Sequence, residues 1–581
     1  MRLSSSFSLA TWSAWLTAAT ALAVPTPEYG RAEARALNSN VLVSTPKRGT
    51  FRGIKMDSIG QDQFLGVRYV RPITSANRFQ RASYLGDDIA AVIHDAISVG
   101  PACIQPPTSS LPASAMSEDC LTMQIIRPQG ISSSSPVPVL VFFHGGGWSR
   151  GVSSNDIYNG TKLVAASVQQ KQPIIYINLN YRLGIFGFLG GSEMQSGDAK
   201  GTAALNAGYW DQRMALQFIS SNIASFGGDP DQITIWGQSA GAASVAAHLL
   251  AQNGQSAPGF ISKGIMESGS AQLFPRFNAS ARVPQAQYNT LLKATSCVSL
   301  DCLRRASLQS LSDANTNVIA RDTMTFSPTL DNYFHTQPAS KALSSGALAD
   351  IPILMGTNVD DGTFMGSCKS QNSPADTQTY FEALYRDSTA VTNLLQVYPD
   401  QPSQGAPFRP VLYGASPDDR FYGSTSQWKR CTAIETDLLF TAGKRSTLDA
   451  AAKYNRNKAY GYLWAQRTPT GGTAAKGVTH SCELGLIFNR PSLYGQADAA
   501  ARTYASSKDI QQTTNHIVAS LLTFVRTGNP NANGFSTWPA YDRTQRQLMQ
   551  FQGTYNTTVI ADTFRDTQVS FIQSQATVFG I

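Results

Sequence analysis

Residues 233–250 read ITIWGQSAGAASVAAHLL. Ile233–Trp236 is a short apolar run of strand-favouring residues, and Ala242–Leu250 is an Ala-rich run of helix-favouring ones. Between them Gly237-Gln238-Ser239-Ala240-Gly241 has the form Gly-x-Ser-x-Gly. With a strand before it and a helix after it, that pattern forms a sharp turn with the serine at its tip. Glycines are needed there because neighbouring backbone and the following helix approach too closely for a Cβ. The helix N-terminus then sets its unpaired N–H groups and positive dipole end beside Ser239, where negative charge develops on a carbonyl oxygen under attack. The stretch predicts a strand–nucleophile–helix unit with Ser239 as the nucleophile.

Outward from this unit, short apolar runs keep alternating with helical patterns. Val137–Phe143 and Ile174–Leu179 read as buried strands, and Ile351–Met355 and Ala459–Trp464 as later ones. Trp210, Met214 and Phe218 recur at helical spacing, with Ile219 and Ile223 on the same side, until Gly227-Gly228-Asp229-Pro230 stops the helix. Ile510–Val525 is a late helix closed by Thr527-Gly528-Asn529-Pro530. The layout predicts an α/β fold with a large, mostly parallel central sheet flanked by helices. There is no internal repeat, and low complexity is confined to Ser132–Ser135 and Gly471–Gly477. No linker of Pro, Gly and Ser parts the chain, so residues 24–581 are expected to form one catalytic domain with long insertions.

His144-Gly145-Gly146-Gly147 directly follows the Val137–Phe143 strand, the place where this fold supplies further backbone donors. Gly146, Gly147 and Ala240 are expected to turn their N–H groups on one oxyanion. The chain holds six histidines. Chain order in this fold runs nucleophile, acid, histidine. That order removes His94 and His144, and it removes His335, which precedes the best acid candidate. His248 lies on the helix after the serine, and His516 sits in a helical pattern. His480, in a loop after the Ala459–Trp464 strand, remains as the base. The acid should follow the Ile351–Met355 strand, where Asp360 and Asp361 both qualify by position.

Composition excludes several other classes. Among 581 residues, 42% are apolar, 10% aromatic and only 14% charged, which rules out disorder for most of the chain. The net charge is +8, but no block of Lys and Arg gathers it, so no nucleic-acid partner is expected. Seven cysteines are too sparse for a disulfide-stapled scaffold. No His, Cys and Asp cluster has ligand spacing, so neither metal nor cofactor is expected. Residues 1–23 read as a cleaved secretory signal, with Arg2, an apolar stretch to Leu22 and a small-x-small site at Ala21-Leu22-Ala23. No other apolar run reaches spanning length, and the C-terminus is neither a retention signal nor an anchor tail, so the mature protein is expected outside the cell without membrane insertion. Asn159, Asn278 and Asn556 head Asn-x-Ser/Thr triplets compatible with glycosylation.

The stretch Phe226-Gly227-Gly228-Asp229-Pro230 through Gly241 resembles the active-serine signature of type-B carboxylesterases and lipases, a family that includes fungal secreted esterases and the cholinesterases. Glu118-Asp119-Cys120-Leu121 resembles its second signature. Further likenesses are Phe64-Leu65-Gly66-Val67, Arg78-Phe79, Asn180-Tyr181-Arg182, Asp211-Gln212-Arg213 and Trp538-Pro539-Ala540-Tyr541. The resemblance implies the α/β-hydrolase fold, no cofactor, and a triad of Ser239, Asp361 and His480, with Asp360 as the fallback acid. The family's acid is usually Glu, so Asp361 is one methylene shorter. The resemblance also implies buried pairs Arg78–Glu118 and Arg182–Asp211, Ser268 beside the acid, and disulfides Cys103–Cys120 and Cys297–Cys302. Cys368, Cys431 and Cys482 are then an odd remainder. Unlike the cholinesterases, this sequence has Gln238 before the nucleophile and no Trp in the Cys103–Cys120 loop, so a cation site is not expected there. That loop forms a lid in the family's long-chain lipases and looks short for one here. The reading is a secreted serine carboxylesterase acting on a small-molecule or lipid ester. A true lipase is the alternative. A non-catalytic binding protein on the same fold would lack the nucleophile or the base, and both are present.

Overall fold

The computed structural model describes residues 40–580 apart from 89–91, 257, 258, 260, 274–280, 322–325, 409–415, 417, 420–424, 467–474, 497–505 and 553–556. The expected signal at 1–23, Asn278, Asn556 and most of Gly471–Gly477 lie outside the described residues. The N-terminal strands are β1 (Asn40–Ser44), β2 (Thr50–Met56), β3 (Gln61–Arg68) and β4 (Ile93–Asp95). Two short strands follow, β5 (Ala102–Cys103) and β6 (Met116–Ser117), and pair only with each other. The centre is β7 (Thr122–Pro128), β8 (Val137–Phe143), β9 (Ile175–Leu179), β10 (Gly228–Gln238) and β11 (Lys263–Glu267). Then come β12 (Ile353–Asn358), β13 (Ala459–Ala465), β14 (Gln547–Gln552) and β15 (Thr558–Ala561).

These strands form one sheet in the order β1-β2-β3-β7-β9-β8-β10-β11-β12-β13-β14-β15, with β4 added to β2. Every pairing from β9 through β8, β10, β11, β12 and β13 to β14 is parallel. β1, β2, β3 and β7 add an antiparallel flank, and β15 closes the other edge antiparallel. Val, Leu, Ile and Phe fill the middle strands on both faces, because helices cover a parallel sheet on both sides. Val139 to Phe143 and all of β9 are fully buried.

The two largest strand departures from the sequence expectation have local reasons, while β9 starts one residue later, at Ile175, and β13 ends one residue later, at Ala465. β10 begins at Gly228 rather than Ile233, because the chain pairs with β8 at Gly228↔Val137, slips, and pairs again from Ile233↔Val139. β12 begins at Ile353, after Pro352, whose ring nitrogen has no proton for a ladder bond. It then runs on to Asn358 because β13 continues alongside, with Asn358 facing Trp464.

Two ion pairs fasten the loops around the parallel strands' carboxyl ends. Arg182 gives Asp211 its Nε at 2.8 Å, its Nη2 at 2.7 Å and its backbone N–H at 3.0 Å. Arg78 holds Glu118 through Nε and Nη2, and its Nη1 donates at 2.9 Å to the carbonyls of both Arg304 and Ala306. Disulfides join Cys103–Cys120, Cys297–Cys302 and Cys368–Cys431, which leaves Cys482 as a buried thiol. No described helix is long and apolar enough to cross a membrane.

Asp211→Ala strands the Arg182 guanidinium in a site where it is 2% exposed. A buried charge left without its partner costs about 3–5 kcal/mol. Urea denaturation of the variant is expected to show that loss, and an unchanged midpoint would contradict the structural role given to this pair.

Candidate active site

Ser239 stands at the tip of β10, immediately before the helix Ala240–Leu250, with φ 59° and ψ −127°. A residue with a Cβ adopts such a conformation only where its surroundings force it, at a cost of about 1–3 kcal/mol. Here the forcing contacts are visible. A Cβ on Gly237 would lie 2.3 Å from the Gly241 carbonyl, and one on Gly241 would lie 1.9 Å from the Phe143 carbonyl oxygen. The two glycines let the helix start directly against the ends of β8 and β10. The Ser239 N–H donates to the Glu267 carbonyl at 2.8 Å, and its own carbonyl accepts from Ala243 at 3.0 Å.

The Gly-rich turn after β8 reaches the same place. A Cβ on Gly145 would come within 2.9 Å of Ser239 Cβ. Gly146 and Gly147 both have positive φ, 107° and 62°. The Gly146 carbonyl is engaged by the N–H groups of Ser149 and Arg150. No described backbone hydrogen bond uses the N–H of Gly146, Gly147 or Ala240. His144 itself is buried and serves structure. Its ring stacks on Tyr181 at 4.5 Å, Nδ1 contacts the Gly145 carbonyl at 2.9 Å, and burial lowers its pKa to about 4.

His480 lies on a loop after β13, with Nδ1 2.8 Å from Asp361 Oδ1. Asp361 is fully buried just past the end of β12, and its Oδ2 accepts the Asn358 N–H at 2.7 Å. Asp360 points elsewhere. Its two oxygens take the N–H groups of Phe408 at 2.8 Å and Val478 at 3.0 Å, and burial pushes its pKa up to about 6. Of the two candidate acids, only Asp361 reaches the imidazole. The opposite edge of the ring, Nε2, is 3.3 Å from Gln238 Nε2, on the residue just before Ser239. Gln238 Nε2 also donates to Ser481 Oγ at 2.8 Å. Ser239 Oγ makes no hydrogen bond to His480 in this structure; such contacts tighten when substrate closes the site.

Two aromatic rings hold the imidazole face. Phe364 stacks on it at 4.5 Å and 23°, and Phe440 leans on it at 4.9 Å. Phe440 reaches it because the helix Trp428–Thr436 passes through a π turn, Asp437–Thr441, before Ala442–Tyr454. Neither ring was singled out by the sequence reading, nor was Asn358, whose Nδ2 bonds the Thr479 carbonyl at 2.8 Å and Glu483 Oε2 at 2.6 Å. The available signal was position, since Phe364 follows Asp361 within one turn. Ser268, expected beside the acid, is buried with a hydroxyl that has no hydrogen-bond partner among the described residues. Both oxygens of the shorter Asp361 already have donors in His480 and Asn358. The other histidines stay apart. His248, His335 and His516 are buried, and His94 pairs with Asp88 at 2.6 Å.

The model of the carboxylesterase family matches residues 39–572. The chain belongs to this family. It is a carboxylic ester hydrolase with the α/β-hydrolase fold. Among its relatives, Secreted lipase 1 of Botryotinia fuckeliana is 31% identical, covering 80% of this chain and 78% of that one. Lipase 5 of Diutina rugosa is also 31% identical, covering 74% of this chain and 80% of its own. Among solved structures, Aspergillus niger EstA superimposes with a TM-score of 0.78 at 26% identity, covering 94% of this chain and 99% of that one. The close approaches described above explain why both Gly237 and Gly241 are needed. Gly241→Ala drives a methyl group into the Phe143 carbonyl, and ester hydrolysis is expected to fall at least about a hundred-fold, as displacing a preorganised oxyanion donor does. Wild-type kcat/KM in this variant would contradict the close approach described.

Proposed function

We propose that this chain is a secreted serine carboxylesterase working through Ser239, His480 and Asp361. The observation that carries the reading is the His480 imidazole, held at Nδ1 by buried Asp361 while Nε2 faces the Gln238-Ser239 turn. Ser239 Oγ attacks the ester carbonyl, and His480 Nε2 takes its proton. Asp361 accepts the Nδ1 proton's hydrogen bond and stabilises the imidazolium. The N–H groups of Gly146, Gly147 and Ala240 receive the oxyanion. His480 then protonates the leaving alcohol, and water, activated in the same way, hydrolyses the acyl-enzyme. Secretion is supported by residues 1–23 and by relatives bearing the word secreted in their names. Asn159, exposed in its loop, is available for a glycan.

Esterase is favoured over true lipase by the state of the Cys103–Cys120 loop. Gln105 clamps it to the turn after the Gly-rich segment, donating to the Gly151 carbonyl at 2.8 Å and accepting the Gly151 N–H at 2.9 Å. The loop's exposed residues are Pro107-Thr108-Ser109-Ser110 and Pro112-Ala113-Ser114-Ala115, with Leu111 half-buried between them, so no fully exposed side chain of the loop is a large apolar one. A pinned loop that exposes only small or polar side chains and prolines is poorly suited to lift at an interface. Many relatives are named lipases, so the distinction is decided by substrate chain length.

The test is hydrolysis of p-nitrophenyl esters from acetyl to palmitoyl. Ser239→Ala and Asp361→Asn are each expected to lose about a thousand-fold or more in kcat, and Asp360→Asn little. Short acyl chains are expected to react best, without a rise at emulsion interfaces. Activity retained in Ser239→Ala, or Asp360→Asn worse than Asp361→Asn, would overturn the triad. Interfacial activation on long chains would make the protein a lipase.

A further inference from the structure

The longest loop closed by a disulfide ends beside a buried carboxyl group that has no part in ester chemistry. Cys368–Cys431 spans a sequence separation of 63, against 17 and 5 for the other two bonds. Cys431 and Glu435 stand four residues apart on the helix Trp428–Thr436, and both are buried. Side chains at that spacing share one helix face. Cys368 Sγ, Cys431 Sγ and one carboxylate oxygen of Glu435 all lie within 4.8 Å of one another. Among the described residues, neither of the other two bonds has a carboxylate so near both of its sulfurs.

Glu435 is 3% exposed, and only one of its oxygens is satisfied. Oε1 accepts the hydroxyl of Ser367 and, at 2.7 Å, that of Tyr380. Oε2 is buried without a hydrogen-bond partner among the described residues. No charged side chain is among the groups that act on this carboxyl. A buried acceptor without a donor is costly. The two sulfurs beside it have no proton to give, because the bond between them has consumed both. In the reduced chain either thiol is a donor in reach of the carboxylate. The orphaned oxygen thus has a donor only before the bond is made.

We propose that Glu435 is an intramolecular base that closes the Cys368–Cys431 bond during oxidative folding. The inference is independent of the triad. A small-molecule disulfide of the glutathione type supplies the oxidising equivalent. It leaves one of the two cysteines in a mixed disulfide and releases one small thiol. The free thiol of the other cysteine passes its proton to the Glu435 carboxylate while its sulfur attacks the cysteine sulfur of the mixed bond. The Cys368–Cys431 bond forms and the mixed bond breaks. The second small thiolate leaves with the electron pair and takes the proton back from Glu435. Burial suits the carboxyl to both transfers, because it raises its pKa to about 7, towards that of a thiol. One helical turn sets the apposition to Cys431, so it exists as soon as that helix forms. Closing the longest loop carries the largest entropic cost, so this is the bond that gains most from a local base.

The test follows each bond while oxidised and reduced glutathione reoxidise the reduced full chain. Samples are quenched in acid, alkylated and mapped by mass spectrometry. Glu435→Gln is expected to slow closure of Cys368–Cys431 at least about ten-fold. Cys103–Cys120 and Cys297–Cys302 are expected to form at wild-type rates in the same samples. In concentrated urea, where the helix is lost, both chains are expected to close Cys368–Cys431 equally fast. Equal slowing of all three bonds, which impaired folding would give, overturns the inference, and so does an unchanged rate. A second readout needs no refolding and no change at Glu435. In wild type Cys482 is the free thiol, and its infrared S–H stretching band is subtracted. Cys368→Ala frees the Cys431 thiol, whose band is expected at lowered frequency because its proton is given to Glu435. A band at the frequency of an unbonded thiol overturns the inference.

Discussion

The approach of Gly241 to the Phe143 carbonyl, and of Gly237 to Gly241, governs how the rest of the site is assembled. It brings the first turn of a helix onto the ends of two central strands with no side chain between them. Ser239 is forced into a left-handed conformation that its Cβ opposes, so its hydroxyl projects from the sheet instead of packing into it. The strain is sustained by the parallel ladder on both sides of β10, which fixes the strand end of the turn, and by the helix that follows it. The Gly-rich turn after β8 comes within a methyl group's reach of Ser239 for the same reason. Without those approaches the unpaired N–H groups of the Gly-rich turn and the Ser239 hydroxyl would sit on different surfaces.

Legibility in the sequence followed the distance over which each feature is determined. The serine turn was readable because strand, glycines and helix are contiguous. Chain order and elimination point to His480, and its ring is the one that meets Asp361. Asp360 and Asp361 were not separable from residue type, since both are buried at the end of β12. What separates them is the segment 476–480 folding back. It offers the Val478 N–H to one carboxylate and the His480 ring to the other. The antiparallel flank went unread because β2, Thr50–Met56, mixes Arg and Lys with Phe, Ile and Met and is only partly covered. Asn358, Phe364 and Phe440 gain their roles from tertiary contacts alone. Position near the acid was the available hint for two of them, and the π turn that aims Phe440 has no clear local signature.

An aspartate where the family resemblance implies a glutamate changes which neighbours this carboxylate uses. The shorter side chain stays close to its own strand end, and the Asn358 backbone N–H serves as its second donor. The Ser268 hydroxyl, which the resemblance places beside the acid, is left without a partner. Asn358 becomes the hub instead. It joins Asp361, the carbonyl before His480, and Glu483, so Asp361, the His480 loop and a buried carboxyl are tied through one residue.

Six of the seven cysteines are bonded in pairs, and the seventh, Cys482, lies two positions after His480 with Sγ 3.6 Å from Asn358 Nδ2. Cys482 is 4% exposed, on the loop that carries His480. A thiol so placed reacts with an alkylating reagent only while the loop is lifted. The molecule therefore carries its own clock for the opening of the histidine loop. The alkylation rate of a single sulfur counts those openings, and a bound inhibitor that holds the imidazole down would slow the count.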